Sequence, residues 1–235
     1  MAVILQKQRV IIRFKDTIFA STTQGPSASG EVSLNVCSGE LFLIRLARLE
    51  QTATFADACA GIIQPISGSV YFLGRNWPEL PTDQANALRG RIGRVFRTGN
   101  WINHLSLMEN ILLSQLHHTR SSVRRLRDEA GKLAQQFGLP GLPLGLPGDF
   151  TTADLRRAAC VRAFLGRPLL ILLEEPTSGI YAEVISALMT AVREARERGA
   201  AVIWLTQKSL IWHDQTLPVT QRYRLVAGKL MEVTT

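Results

Sequence analysis

Two adjacent carboxylates, Glu174 and Glu175, stand at the end of an apolar run that covers residues 169–173. Acidic side chains at the mouth of a buried strand are costly unless they face a cation, a phosphate-bound water or a basic partner. An acid at the end of such a strand can hold Mg²⁺, and the acid that follows it can polarise an attacking water. An exposed strand end followed by an ordinary turn explains the same two residues, so the pair alone leaves both interpretations open.

The elements that would position these acids can be predicted from the hydrophobic pattern. Residues 169–173 and 201–206 are short apolar runs of the kind that buried parallel strands show, and a helical pattern over 182–198 separates them. Strand, helix and strand at this spacing predict a right-handed crossover in an α/β parallel sheet, where ligands bind beyond the carboxyl ends of the strands. The strand ends to inspect begin at Ile44, Glu174 and Thr206.

The rest of the chain carries further signals for secondary structure. Segment 31–44 suggests two strands joined at a Ser38-Gly39 turn. Ser106 and Glu109 form a capping box that begins a helix. Similar patterns predict, in chain order, a helix over 52–62 that ends at Gly61, strands at 69–73 and 91–96, a mostly helical stretch over 106–137, a Pro- and Gly-rich loop over 138–148, a helix from 151 to about 165, and a hairpin over 222–233 with its turn at 227–229.

Composition excludes several classes of protein. The chain has 235 residues, of which 46% are hydrophobic and 20% charged, as in globular proteins and unlike disordered or collagen-like chains. Its longest apolar runs are far shorter than the ~20 residues of a membrane-spanning helix, so we expect a cytosolic protein. Three scattered cysteines, Cys37, Cys59 and Cys160, lack metal-ligand spacing and are expected as buried, reduced thiols.

The net charge of +8 directs attention to an anionic partner, such as phosphate, nucleic acid or a membrane surface. Arginines cluster within 89–97 and 120–127. Because aromatic residues suited to stacking on bases are not interleaved with these clusters, a solvated helix face is favoured over a nucleic-acid groove.

Over nearly its whole length the chain resembles the nucleotide-binding subunit of ABC transporters. The resemblance implies an α/β fold of the P-loop NTPase-like ABC ATPase type, with an N-terminal antiparallel β-subdomain, a parallel core sheet and a helical subdomain. We expect a single domain over 1–235, with the helical subdomain at about 99–165 and the Pro/Gly loop at about 138–148. The matching stretches, in the order of the family, are VSLNVCSGE, AGIIQPISGSVYFLG, RIGRVF, HLSLMENILL, RRAACVRAFLGRPLLILLEEPTSG, AVIWLTQ and RLVAGKLMEV.

Within that family, the segment RGRIGRVFRTGNWINHLSLMENILL is most similar to small stand-alone ATPases of bacterial lipid and lipoprotein export or cell-division systems.

The phosphate loop of the family, GxxGxGK(S/T), is the first departure. The lysine of this loop can be located from two glycines, Gly39 of the Gly-Glu turn before it and Gly61 of the Ala-Gly pair after it. Both spacings place the family's lysine at Thr52. Ala53 stands at the hydroxyl that binds Mg²⁺, Thr54 follows one position late, and the loop itself, LARLEQ, contains no glycine. Glycines let backbone N–H groups converge on phosphate and the lysine neutralises its charge, so we do not expect ordinary ATP binding here.

The other nucleotide-contacting positions change in the same direction. Arg97 stands where the family has the glutamine that senses Mg²⁺ and the membrane partner, and Gln207 stands where it has the switch histidine. Tyr181 stands at the D-loop aspartate, and residues 150–154, FTTAD, stand at the signature LSGGQ. Glu174 keeps an acid at the Walker B position, and Glu175 keeps the catalytic glutamate. In the family each ATP lies between the phosphate loop of one subunit and the signature of the other. The resemblance therefore implies impaired sites with an intact partner and no working site in a homodimer.

The first functional hypothesis is a pseudo-ATPase, a structural or regulatory subunit docked on an integral membrane permease at the cytoplasmic side of the inner membrane. Its dimer partner would be an intact ABC ATPase paralogue or a second copy of the chain, and ATP with Mg²⁺ would bind weakly or not at all. The docking groove of the family corresponds to Arg97–Leu116, with Arg97, Trp101, Leu105 and Met108 as candidate contacts. Charge reversal at Arg94 or Arg97 would then alter assembly of the complex, whereas burial in the core explains the apolar candidates equally simply.

An active ATPase is the alternative. Glu175 would then serve hydrolysis, and Arg45 or Arg48 would replace the missing lysine, because arginine can bind phosphate in a bidentate manner. Nucleic-acid binding is a third reading, but the coiled-coil, zinc or tandem-domain additions of ABC-type repair and translation factors are not visible, so no nucleic-acid partner is expected.

Overall fold

The computed structural model describes residues 9–19, 30–47, 50–226 and 229–233. The strands are β1 Val10–Ile18, β2 Val32–Cys37, β3 Leu41–Leu46, β4 Ser67–Phe72, β5 Arg75–Asn76, β6 Ile92–Val95, β7 Leu170–Glu174, β8 Ala201–Thr206, β9 Gln221–Val226 and β10 Lys229–Glu232. The helices are α1 Glu50–Cys59, α2 Thr82–Arg89, α3 Leu107–His118, α4 Val123–Gln136, α5 Thr152–Phe164, α6 Tyr181–Glu197 and α7 Ser209–His213. Among these residues no helix combines the length and the apolar character that crossing a membrane requires.

The strands form two sheets. An antiparallel sheet has the order β2-β1-β4-β5, and a six-stranded sheet has the order β10-β9-β3-β8-β7-β6. In the larger sheet β9, β3, β8, β7 and β6 run parallel, and only β10 is antiparallel to its neighbour. The α/β fold predicted from the apolar runs and from the resemblance is confirmed. The two strands that flank the Ser38-Gly39 turn belong to different sheets, so this turn carries the chain from one sheet to the other.

Burial on both faces explains why the parallel strands are continuously apolar. In β3, Leu41 and Leu43 belong to a hydrophobic cluster on one face, and Phe42 and Ile44 belong to a cluster on the other. The first cluster contains the buried sides of α3 to α6, and the second is covered by α1 and the antiparallel sheet. Cys59 and Cys160 are buried thiols as predicted, whereas Cys37 is only half-buried.

The helical stretch predicted over 106–137 consists of two helices, α3 and α4, separated at residues 119–122. The capping box is present: Ser106 Oγ accepts from the Glu109 N–H at 3.2 Å, and the Ser106 N–H donates to Glu109 Oε2 at 2.8 Å. Ser122 caps the second helix by accepting from the Arg125 N–H. The sequence did not predict β1, β5, α2 and α7. The predicted hairpin turn at 227–229 includes two residues outside the described ranges.

Asn110 fixes the turn that leads into α3. Its carboxamide nitrogen donates to the carbonyls of Ile102, Leu105 and Ser106 at 3.0 to 3.1 Å, and its Oδ1 accepts from the Ile102 N–H at 2.8 Å. Asn110 is buried, and Ile102, Leu105 and Ser106 are half-buried, so these hydrogen bonds are partly shielded from water. One amide side chain therefore satisfies much of the polar backbone between 102 and 106.

We expect Asn110→Ala to destabilise the fold by about 1–3 kcal/mol, because the Ile102 N–H and the Leu105 carbonyl lose their side-chain partner. Urea unfolding of the purified chain measures this loss. Asn103→Ala, at an exposed position of the same turn, is the matched control and should change the free energy of unfolding by less than about 0.5 kcal/mol. An equal effect of both substitutions would contradict the role given to Asn110.

Candidate functional site

The two acids predicted from the sequence lie at the carboxyl edge of the parallel sheet. Glu174 is the last residue of β7 and is in register with Leu205 of β8, so Glu175 lies next to the end of β8 at Thr206 and Gln207. Helix α1 lies against β7. The structure thus brings together the ends of β7 and β8, as parallel pairing requires.

The negative charge of Glu174 is balanced by an arginine of the same chain. Arg94 of β6 donates from Nε to Glu174 Oε1 at 2.5 Å and from Nη1 to Asp57 Oδ1 of α1 at 2.5 Å. Burial raises the pKa of Glu174, while the Arg94 guanidinium and the Arg97 backbone N–H oppose this rise. The side chain of Arg94 also covers the ring of Phe96, with Cζ 4.3 Å from the ring centroid. Arg94 was named beside Arg97 for charge reversal at the predicted docking groove, but its side chain is only 7% exposed and offers little surface to a partner.

Glu175 is also bound by protein donors. Its Oε2 accepts from Thr206 Oγ1 at 3.0 Å, and its Oε1 accepts from the Gln207 N–H at 2.5 Å. The backbone of Glu175 has φ +46°, in the left-handed region that costs a non-glycine residue about 1–3 kcal/mol. Both carboxylate oxygens therefore have partners on the neighbouring strand end, and this network holds the strained backbone in place.

The phosphate-loop positions only partly fall within the described residues. Ala53 is exposed and Thr54 half-buried in the first turns of α1, Arg45 is half-buried on β3, and the side chain of Thr52 lies outside the described part, as does Arg48. The residues that the structure describes do not fit a Mg²⁺ ion at Glu174, the Walker B position, because the carboxylate of Glu174 is already bound to the guanidinium of Arg94. In the described ranges no three His, Cys, Asp or Glu side chains come together as a metal site.

A model of the family described as ABC transporter matches residues 53–178, which is more than half of the chain. The chain belongs to the ABC transporter family. Octopine permease ATP-binding protein P of Rhizobium meliloti is 26% identical over 188 residues, covering 75% of this chain and 71% of the relative. Phosphonates import ATP-binding protein PhnC 2 of Synechococcus sp. (strain JA-2-3B'a(2-13)) is 26% identical over 226 residues, covering 93% of this chain and 82% of the relative.

Solved structures agree on the fold. The dimeric structure of MJ0796, a bacterial ABC transporter cassette, matches with a TM-score of 0.83 at 21% identity, over 95% of this chain and 98% of that one. The dimeric post-hydrolysis structure of the same cassette, bound to ADP and Pi, matches with a TM-score of 0.82.

The start of α5, where the resemblance places the ABC signature, is capped by its own side chains. Thr151 Oγ1 accepts from the Asp154 N–H at 3.1 Å and donates to Asp154 Oδ2 at 2.7 Å. Arg157 then pairs with Asp154 at 3.0 Å and with Glu183 of α6. The D-loop position is engaged as well, since Tyr181 donates to Asp214 at 2.8 Å. Asp154 therefore places negative charge at the helix terminus that would otherwise attract a phosphate.

Two arginines of α5 hold the segment that follows β6, where the family has its glutamine loop. Arg156 donates to the carbonyls of Phe96 and Arg97 at 3.1 and 3.0 Å, and Arg162 donates to those of Gly99 and Asn100 at 2.7 and 3.3 Å. Burial lowers the pKa of Arg162 to about 10, so it remains charged at neutral pH. This role of Arg156 and Arg162 could not be predicted from the sequence, because a helical pattern does not reveal which arginine of a helix contacts another segment.

The four predicted docking residues have different environments. Arg97 is exposed, whereas Trp101, Leu105 and Met108 are half-buried. Trp101 and Met108 pack against the core cluster, and Arg162 lies 4.2 Å above the Trp101 ring. Gly99 is required here, since a Cβ at this position would lie 2.3 Å from Trp101 Nε1. Whether these residues contact a partner stays a prediction.

We expect Arg162→Met to speed amide hydrogen exchange across residues 97–101, because the Gly99 and Asn100 carbonyls lose their donors and Trp101 loses its cationic neighbour. Exchange followed by mass spectrometry gives the measurement. Arg124→Met removes an exposed arginine from α4 and should leave exchange in this segment unchanged. Unchanged exchange in the Arg162 variant would contradict the assigned support.

Proposed function

We propose that this chain is a non-hydrolysing ATP-binding-cassette subunit of a membrane transport system, with a structural or regulatory role. The role as a transporter subunit is supported by the family and by relatives named as ATP-binding proteins of an octopine permease and of phosphonate import. The loss of ATP hydrolysis is supported by the chemistry of the strand ends.

The main support for the loss of hydrolysis is that both carboxylate oxygens of Glu175 already accept hydrogen bonds from the protein. A general base must face the proton that it abstracts. Here one carboxylate oxygen accepts from Thr206 and the other from the Gln207 N–H. Glu175 is also only 5% exposed, so little of it is accessible to an attacking water.

The phosphate side of the site supports the same proposal. The segment LARLEQ offers no glycine and no lysine, and it adds a glutamate where phosphates would lie. The family match begins at Ala53, directly after Thr52, the position of the family's lysine. At the signature position, the carboxylate of Asp154 adds further negative charge.

Assembly would follow the pattern of the family. We propose that the chain docks on an integral permease subunit at the cytoplasmic face of the inner membrane, through Arg97, Trp101, Leu105 and Met108. An intact paralogue is the proposed dimer partner, because a homodimer of this chain would lack any working site. The dimeric state of the MJ0796 cassette supports pairing of such domains.

Calorimetric titration of the purified chain with Mg·ATP tests the loss of nucleotide chemistry. We expect no binding tighter than roughly 1 mM, with an intact ABC ATPase as the positive control. In a purified transporter complex, Glu175→Gln in this chain should leave the ATPase rate unchanged. Micromolar binding together with a rate lost in the Glu175 variant would establish the alternative, an active ATPase with a remodelled phosphate loop, and would make Arg45 and Arg48 the next residues to substitute.

Charge reversal tests the docking surface. Arg97→Glu combined with Leu105→Asp should reduce recovery of the permease with the tagged chain, because it places acids on the proposed contact. Arg193→Glu, at an exposed position of α6, is the control that alters the net charge without touching this surface. If the wild type and both variants recover equal amounts of the permease, segment 97–116 is not the docking surface.

A further inference from the structure

Arg94 connects two elements that meet at the candidate nucleotide site. Its Nε is 2.5 Å from Glu174 Oε1 on β7, and its Nη1 is 2.5 Å from Asp57 Oδ1 on α1. The side chains of Arg94 and Glu174 are 7% and 2% exposed, and that of Asp57 is 29% exposed. A single guanidinium thus bridges two carboxylates that are 117 residues apart in sequence.

The charges in this cluster disfavour a divalent ion beside Arg94. Two carboxylates face one guanidinium, and the nearby Cys59 thiol stays neutral because burial raises its pKa. A divalent ion added to Arg94 would place three positive charges against two negative ones. Mg²⁺ binds through one or two carboxylates at about 2.1 Å, and the acid it would need is the one already bound to Arg94.

We propose that Arg94 is a built-in cation that takes the place of a divalent metal between α1 and β7. This inference deepens the proposed function and rests on it. Because guanidinium is charged at every physiological pH and is covalently attached, it holds the two carboxylates at any concentration of Mg²⁺ or nucleotide. The ring of Phe96, 4.3 Å from Arg94 Cζ, keeps the guanidinium in this position.

The proposal predicts that removing Arg94 uncovers a site for a divalent cation. In Arg94→Met, which keeps a flexible side chain of similar length, Asp57 and Glu174 lose their shared partner and can bind Mn²⁺ instead. At a Mn²⁺ concentration about 100-fold above its Kd, the melting temperature of this variant should rise by roughly 5–10 °C relative to EDTA. The wild-type chain should melt at the same temperature in MnCl2 and in EDTA.

Three further variants make the result specific. Arg94→Lys restores a cation and should show no gain of Mn²⁺ binding. Arg94→Met combined with Glu174→Gln removes one ligand and should lose the gain. Arg91→Met, an exposed arginine directly before β6, controls for loss of charge alone. Electron paramagnetic resonance of Mn²⁺ reports binding directly in each case.

Poor folding of Arg94→Met in EDTA would not prevent the test, because refolding with Mn²⁺ should then restore the native state, and Arg94→Gln offers a polar second variant. If Mn²⁺ neither binds nor rescues either variant, the inference is overturned. Tight binding of Mn²⁺ to the wild-type chain would overturn it equally. Mg·ATP binding by the wild type is a separate result, which counts against the proposed function even where the Arg94 variants gain a metal.

Discussion

Burying the charged carboxylate of Glu174 at the end of a parallel strand is costly unless a positive charge lies within hydrogen-bonding distance, and the arrangement around the site follows from how Arg94 supplies that charge. Strand β6 brings Arg94 beside β7, where the register pairs Arg94 with Leu172, so its side chain can reach past the strand to Glu174. The same guanidinium then binds Asp57, which fixes α1 on the sheet. A buried ion pair of this kind adds little stability compared with apolar residues of similar size, but removing one partner is costly because it leaves the other charge buried and unpaired.

A common feature of the site is that polar groups at the family's nucleotide-contacting positions find partners inside the chain. Glu175 accepts from Thr206 and the Gln207 N–H, and Asp154 caps its own helix. Tyr181, which the resemblance places at the family's D-loop aspartate, donates to Asp214. Since hydrogen bonds made within the protein must be broken before a ligand can use these groups, each pairing lowers the net gain from binding nucleotide.

The sequence was sufficient to predict the parallel strands and the two acids, because continuous apolar runs such as Ile171–Leu173 indicate burial on both faces. It was not sufficient to predict Arg94, whose partner is 80 residues away and depends on the order of β6, β7 and β8. A signal was present, since an arginine inside the apolar pattern of RIGRVF needs a buried acid. Helix α2 was not predicted because its residues, TDQANALR, are mostly polar and the helix buries little beyond Ala85.

The excess of arginine illustrates why net charge is a weak guide to partners. Arg156 and Arg162 direct their guanidinium groups into the contact between α5 and the segment after β6, and Arg196 donates to the carbonyls of Gly39 and Pro218. Carbonyl partners leave the positive charge unneutralised, so these residues raise the net charge without forming an anion-binding surface. The five donors of guanidinium suit it to tying loops to helices, and part of the +8 balance reflects this internal use of arginine.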